Sequence, residues 1–412
     1  MDTSIERARE SALKVVGATP EQVEKGLELH KRLFASDLFG FLPRTLSAKA
    51  HATITEMIGN GAAYAELSPV YDVLRANSHI YDPDCREQFV DAVRATGLNC
   101  TVLTAGSEKS LHHSIHRISW YIHLFDTMGD SVKKATCVAD IEAIHREGKL
   151  AVVCSTNCAP AQSGLTDGMD AHYWIDIFYR LGIRIMHLTY NRRNWVGDGC
   201  LEPADGGLSL HGVDVVKHLS RIGMAVDTAH SGRRTTLDAA RLSKAPIMAT
   251  HTACQALYDH PRGKSDDELK AIADTGGLVG ICCIPYFLGE NGGLKDLLDH
   301  IDYAIHLIGT DHVAIGTDTT YVGPPPPGLP PIEGFPKASP YSADRWFGAW
   351  KEGHLQPKPE QHLQESLAWT NWPYFTVGLV ARGYSECDIE KMLGKNLLRV
   401  LAEVENAAES PA

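Results

Sequence analysis

Short apolar runs alternate along this chain with longer stretches whose apolar residues recur at helical spacing. The clearest unit spans residues 223–253, GMAVDTAHSGRRTTLDAARLSKAPIMATHTA. Met224-Ala225-Val226 is one apolar run and Pro246-Ile247-Met248-Ala249 the next. Between them, residues 234–242 place Leu237, Ala240 and Leu242 along one helical side. Strand, helix and strand at this length make parallel strands with a right-handed crossover. The first strand leads into His230 and the second into His251, so both stand at the same edge of the sheet. In a barrel of such units that edge carries the chemistry. Two imidazoles there can reach one metal ion at about 2.0–2.1 Å each. A lone strand-end histidine is usually a hydrogen-bonded surface or core residue; a matched pair is harder to dismiss.

The same alternation continues on both sides. Strands are predicted over residues 32–37, 99–104, 150–156, 183–189, 278–285 and 312–318, with helices over 62–73, 84–96, 140–147, 173–181, 213–219, 294–307 and 383–404. One or two amphipathic helices fill residues 1–30, with Thr19-Pro20-Glu21 as a helix start. A long helix carries His112, His113, His116 and His123, which read as packing or surface residues because nothing else of ligand type converges on them. Repeated strand–helix order predicts one domain over residues 1–412, an α/β fold of the parallel (β/α)8 TIM-barrel type with extra N-terminal helices. Residues 319–375 interrupt it with GPPPPGLPPIEGFPKASP and then Trp346, Trp350, Trp369 and Trp372. Such proline density forbids helix or central strand, so this insertion reads as a lid or dimer arm.

Composition narrows the partners. Net charge is −12 with no basic run, which argues against nucleic acid or an anionic membrane as the partner. The 10 cysteines include no CxxC pair and read as free thiols of a reducing compartment. No apolar run approaches a membrane span, and neither a secretory leader nor an anchor signal is evident. The expected location is the cytoplasm, and the expected partner a small-molecule substrate.

Several stretches carry a family resemblance. VDTAHSG with IMATHTA, DHPRGKSDDELKAIADTGGLVGI and DLLDHIDYAIHLIGTDHVAIGTD resembles the renal (membrane) dipeptidase family of metallopeptidases. So does GIRIMHLTYNRRNWVGDGCLEPADGGLSLHGVDVVKHLSRIG. The likeness is dense over residues 148–318 and returns at RGYSECDIEKMLGKNLLRVL. It implies that His230 and His251 bind metal, that Arg262 binds a substrate carboxylate and that Asp318 moves a proton. It also implies a metal-binding His-x-Asp pair on the first strand. Asp37 is present there, but Ala35 replaces the histidine. The family's metal-bridging glutamate falls at Thr156 or Asn157, neither of which has a carboxylate. Two close dications need an anionic bridge to offset their repulsion. One divalent metal per chain, zinc being the expected ion, is therefore predicted on His230 and His251, completed by Asp318 or Asp37. His172 or Asp198 is the alternative source of a replacement ligand. Tyr190 and Asn191, in a donor-rich turn at the active edge, are expected to bind substrate.

The predicted function is a metal-dependent hydrolase cleaving an amide or peptide-like C–N bond in a small carboxylate-bearing substrate. A decarboxylase or C–C hydrolase on the same scaffold, or a metal-free binding relative, are the alternatives. By resemblance alone a homodimer is expected.

Overall fold

A computed structural model of the chain describes residues 3–108, 110–160, 168–338 and 359–409, the side chains of 168–170 excepted. Its strands are β1 (Ser36–Asp37), β2 (Cys100–Thr104), β3 (Val132–Lys134), β4 (Leu150–Thr156), β5 (Ile183–His187), β6 (Ala225–Asp227), β7 (Met248–Cys254), β8 (Gly263–Lys264), β9 (Leu278–Ile281) and β10 (Val313–Ile315). They pair in parallel in the order β1-β2-β4-β5-β6-β7-β9-β10, with β3 beside β4 and β8 beside β7. Backbone bonds then join the ends of that path: Leu38 N–H donates to Ile315 O and Asp318 N–H to Phe39 O. The result is a nearly closed barrel of eight parallel strands with helices around it, the expected (β/α)8 architecture.

The strands are buried on both faces, which is why their sequences read as continuous apolar runs. One buried cluster gathers Val102, Val153, Ile185, Ala225, Met248, Leu278 and Ala314 with Leu397, Val400 and Val404 of the C-terminal helix Asn396–Asn406. A larger cluster lies between the strands and the outer helices. Local signals set several helix starts. Thr19 and Gln22 form a capping box before Pro20–Arg32, and Ser209 caps Leu210–Ile222 by accepting from Gly212 N–H.

Three expectations are corrected in detail. The first strand is two residues long because the preceding helix persists to Arg32. The helix predicted over 62–73 runs through Pro69 to Tyr81, and a further helix, Ala48–Gly59, stands before it. Of the four tryptophans expected in a roof, Trp369 and Trp372 are fully buried, and the helix Trp372–Ala381 packs on Pro20–Arg32. Trp346 and Trp350 lie outside the described residues. The proline-rich segment through residue 338 is laid across the two helices after β1: Pro330 O accepts from His51 Nε2, and the Phe335 ring meets Tyr71 at 5.2 Å.

Candidate metal centre

Three histidines converge at the carboxyl-terminal mouth of the barrel. His187 ends β5, His230 follows β6 by one turn, and His251 lies within β7. All are buried, and one ring nitrogen of each lies within 4.8 Å of the other two. His230 and His251 were singled out from sequence; His187 was not. The signal was there: His187 ends the strand that precedes β6, and one helix joins the two parallel strands, so it stands to His230 as His230 stands to His251.

Each imidazole is oriented through Nδ1. His187 Nδ1 donates to Thr156 O at 2.6 Å, and a carbonyl can only accept. His230 Nδ1 donates to Asn191 Oδ1 at 2.7 Å, and the Cys200 thiol donates to the same oxygen. His251 Nδ1 lies 2.9 Å from Thr250 Oγ1, whose single proton is given to Asp227 Oδ2, so the ring must donate. With every Nδ1 protonated, every Nε2 keeps its lone pair. The Nε2 atoms of His230 and His251 face each other at 2.9 Å. His187 Nε2 is buried without a hydrogen bond among the described residues, although Asp227 Oδ2 lies 3.1 Å away. Lone pairs turned toward one another, each ring fixed by an acceptor behind it, is the donor set a cation needs.

Electrostatics favour the same form. Burial, then the nearby Arg262 guanidinium, hold His230 and His251 well below the ordinary imidazole pKa. Burial also lowers His187, with Asp227 opposing. Neutral imidazole is the form that binds metal.

The remaining predicted residues fall in distinct places. Arg262 is 1% exposed and lies behind the histidines, donating to Ala229 O and to His251 O, with one Nη 3.5 Å from His230 Nε2. Its Nε has no partner among the described residues. Tyr190 stacks on His230 at 4.1 Å, and burial pushes its phenol pKa up. Gly199 lets that turn close on the site, because a side chain there would strike Tyr190 O and the Asn191 backbone. Asp318 is half-buried and holds φ at 55°, strained for a residue with a side chain. Burial raises its pKa to about 7, Arg262 opposing and Asp37 adding to the rise. Asp37 is not among the converging ligand atoms. Oδ1 accepts from Phe39 and Thr317 N–H, and Oδ2 from the Thr317 hydroxyl and Trp369 Nε1, so all four lone pairs are taken. Thr156 gives its hydroxyl to Cys158 O, and Asn157 donates to Glu108 Oε2 at 2.8 Å. His172 stacks with His218 at 4.5 Å between two outer helices, and Asp198 pairs with Arg193, so neither joins the three histidines. His112, His113 and His116, read as packing or surface residues, line a cavity beside the site, with His112 and His116 exposed.

The family model for membrane dipeptidase (peptidase family M19) matches residues 67–338. The chain belongs to this family. Among its relatives, dipeptidase tcpJ of Claviceps purpurea is 26% identical over 306 residues, 73% of this chain and 62% of that protein. The chain thus spans less than two thirds of that relative. An amidohydrolase structure from Pseudomonas aeruginosa matches with TM-score 0.68 and 24% identity, over 92% of this chain and 99% of the other. The probable dipeptidase PvdM from the same organism matches with TM-score 0.67 and 20% identity, over 95% and 100%. At these identities the two structures support the fold alone. No helix among the described residues is long and apolar enough to cross a membrane.

Proposed function

We propose that this M19 chain is a metal-dependent hydrolase acting on the peptide bond of a dipeptide-like substrate, with one divalent ion, zinc for choice, per chain. The observation that carries it is the convergence of three buried imidazoles, each locked by its own Nδ1 acceptor. Tetrahedral zinc with three protein ligands and one open position is the usual catalytic arrangement. His230, His251 and His187 supply those ligands, because the lone pairs of Asp37 are already occupied. When bound, the ion polarises a carbonyl and makes water a better nucleophile at neutral pH.

The chain's own groups supply the rest. Asp318, with a pKa near the working range, accepts a proton from the attacking water and returns it to the leaving amine. Arg262 keeps positive charge behind the histidines and offers its free Nε to a substrate carboxylate. Tyr190 walls the site against His230. A homodimer is proposed on family grounds alone. A cytoplasmic location rests on the ten cysteines, all free thiols, which suit a reducing compartment.

Elemental analysis after exhaustive dialysis, paired with dipeptide hydrolysis, tests the reading. One equivalent of metal per chain is expected. Asp318→Asn should keep that metal and lower kcat about 10²–10⁴-fold. Two equivalents would refute the mononuclear site. No metal and no turnover would favour a binding protein.

A further inference from the structure

The histidines occupy only the β5–β7 side of the barrel mouth. Opposite them, over the ends of β1, β2 and β4, lies a cavity of about 370 Å³. That is the size of a small-molecule cleft. Its wall on the barrel side is Phe41, Glu108 and Asn157; its far wall includes Trp120, His116 and Asp72. Two links join it to the metal centre. Asn157 directly follows Thr156, whose carbonyl orients His187. Phe41 meets Phe39 edge-on at 5.7 Å, and Phe39 stacks on His251 at 3.9 Å.

Glu108 stands where the two spaces meet. Its charge is felt by both His187 and Tyr190. Among the described residues its carboxylate takes one neutral donor, Asn157 Nδ2, and no ion pair. Two guanidinium groups line the same cavity but are used elsewhere: Arg117 donates to Thr104 O, and Arg44 lies over the Phe41 ring. A half-buried carboxylate with one amide donor and no ion pair among the described residues keeps an oxygen that can pair with a cation. The strand-end carboxylate that the resemblance implies on β4 is absent at both Thr156 and Asn157; Glu108, from the loop after β2, lies beside that strand end and accepts from Asn157.

We propose that this cavity is the subsite for the acyl half of the substrate, with Glu108 binding its ammonium group and the Phe41–Trp120 side receiving a bulky apolar side chain. The proposal rests on the hydrolase reading above and adds a charge and size preference to it.

Kinetics on the metal-loaded protein with phenylalanyl-alanine, its N-acetyl derivative and alanyl-alanine test this. Glu108→Gln should raise KM for phenylalanyl-alanine by about tenfold, leave the N-acetyl substrate unchanged and keep the metal content. Glu108→Asp should recover part of the loss. Ala76→Trp, which fills the cavity from the helix Tyr64–Tyr81, should raise KM for phenylalanyl-alanine and spare alanyl-alanine. Equal effects of Glu108→Gln on free and acetylated substrates, or a wild-type preference for the acetylated one, would overturn the proposal. If the loaded protein cleaves none of them, the hydrolase reading has failed, and the subsite is then judged by calorimetry with phenylalaninamide. Binding by the wild type that Glu108→Gln weakens about tenfold would uphold the subsite; absence of binding, or binding unchanged by Glu108→Gln, would overturn it.

Discussion

The two sides of the barrel mouth have diverged. On the β5–β7 side, three imidazoles stand in a cage of their own acceptors, Thr156 O, Asn191 and the Thr250–Asp227 pair. On the β1–β4 side, Ala35, Thr156 and Asn157 stand where the resemblance led one to expect a histidine and a carboxylate, and the surviving Asp37 is tied into the fold. The difference teaches that half of such a site can persist alone. None of the three Nδ1 acceptors is a β1–β4 side chain. The one acceptor from that side, Thr156 O to His187, is a backbone carbonyl that exists whatever side chain is present, and the Phe39 ring adds only packing against His251. Loss of ligands opposite therefore leaves the histidines in place.

Acid should separate the two sides most strongly. Burial holds His79 at about 3 and His30 at about 4. A histidine depressed in the folded state contributes stability above its unfolded pKa of about 6.5, lost as pH falls toward the folded value. By pH 5 each of these withdraws about 2 kcal/mol. Asp37, raised to about 6, and Asp318, raised to about 7, work in the opposite sense, because the folded state takes up their protons first. Together they return about 4 kcal/mol at pH 5. Those four groups nearly cancel, so the depressed metal-centre histidines tip the balance. The metal-free protein should lose stability between about pH 6.5 and 5, read as a falling urea midpoint. A flat or rising midpoint would mean that the histidine side is not held neutral.

A smaller effect is expected from Asn191→Ala. It removes the acceptor that fixes His230 Nδ1, and metal affinity should drop about 10–100-fold in a chelator competition. Unchanged affinity would break the idea that each ring is locked from behind.

The smallest concerns the other side. Asp37→Asn should leave metal content unchanged and cost about 1–2 kcal/mol of stability, since the Thr317 and Trp369 donors lose a charged acceptor. Loss of metal in this variant would return Asp37 to the ligand set and erase the contrast between the two sides.

The sequence by itself determined the barrel, because buried parallel strands demand apolar runs and their crossover helices demand helical spacing. It also determined the His230 and His251 pair, through their matched places in one strand–helix–strand unit, and the Arg262 and Asp318 candidates through resemblance. It could not place His187 or Glu108, whose partners lie 31 and 49 residues away along the chain. Nor could it show that Asp37 is saturated, since two of its donors, Thr317 and Trp369, are 280 and 332 residues distant. Periodicity reports which way a side chain faces along its own element. Whether a lone pair is free or already taken depends on groups from other strands, and only barrel closure brings those together.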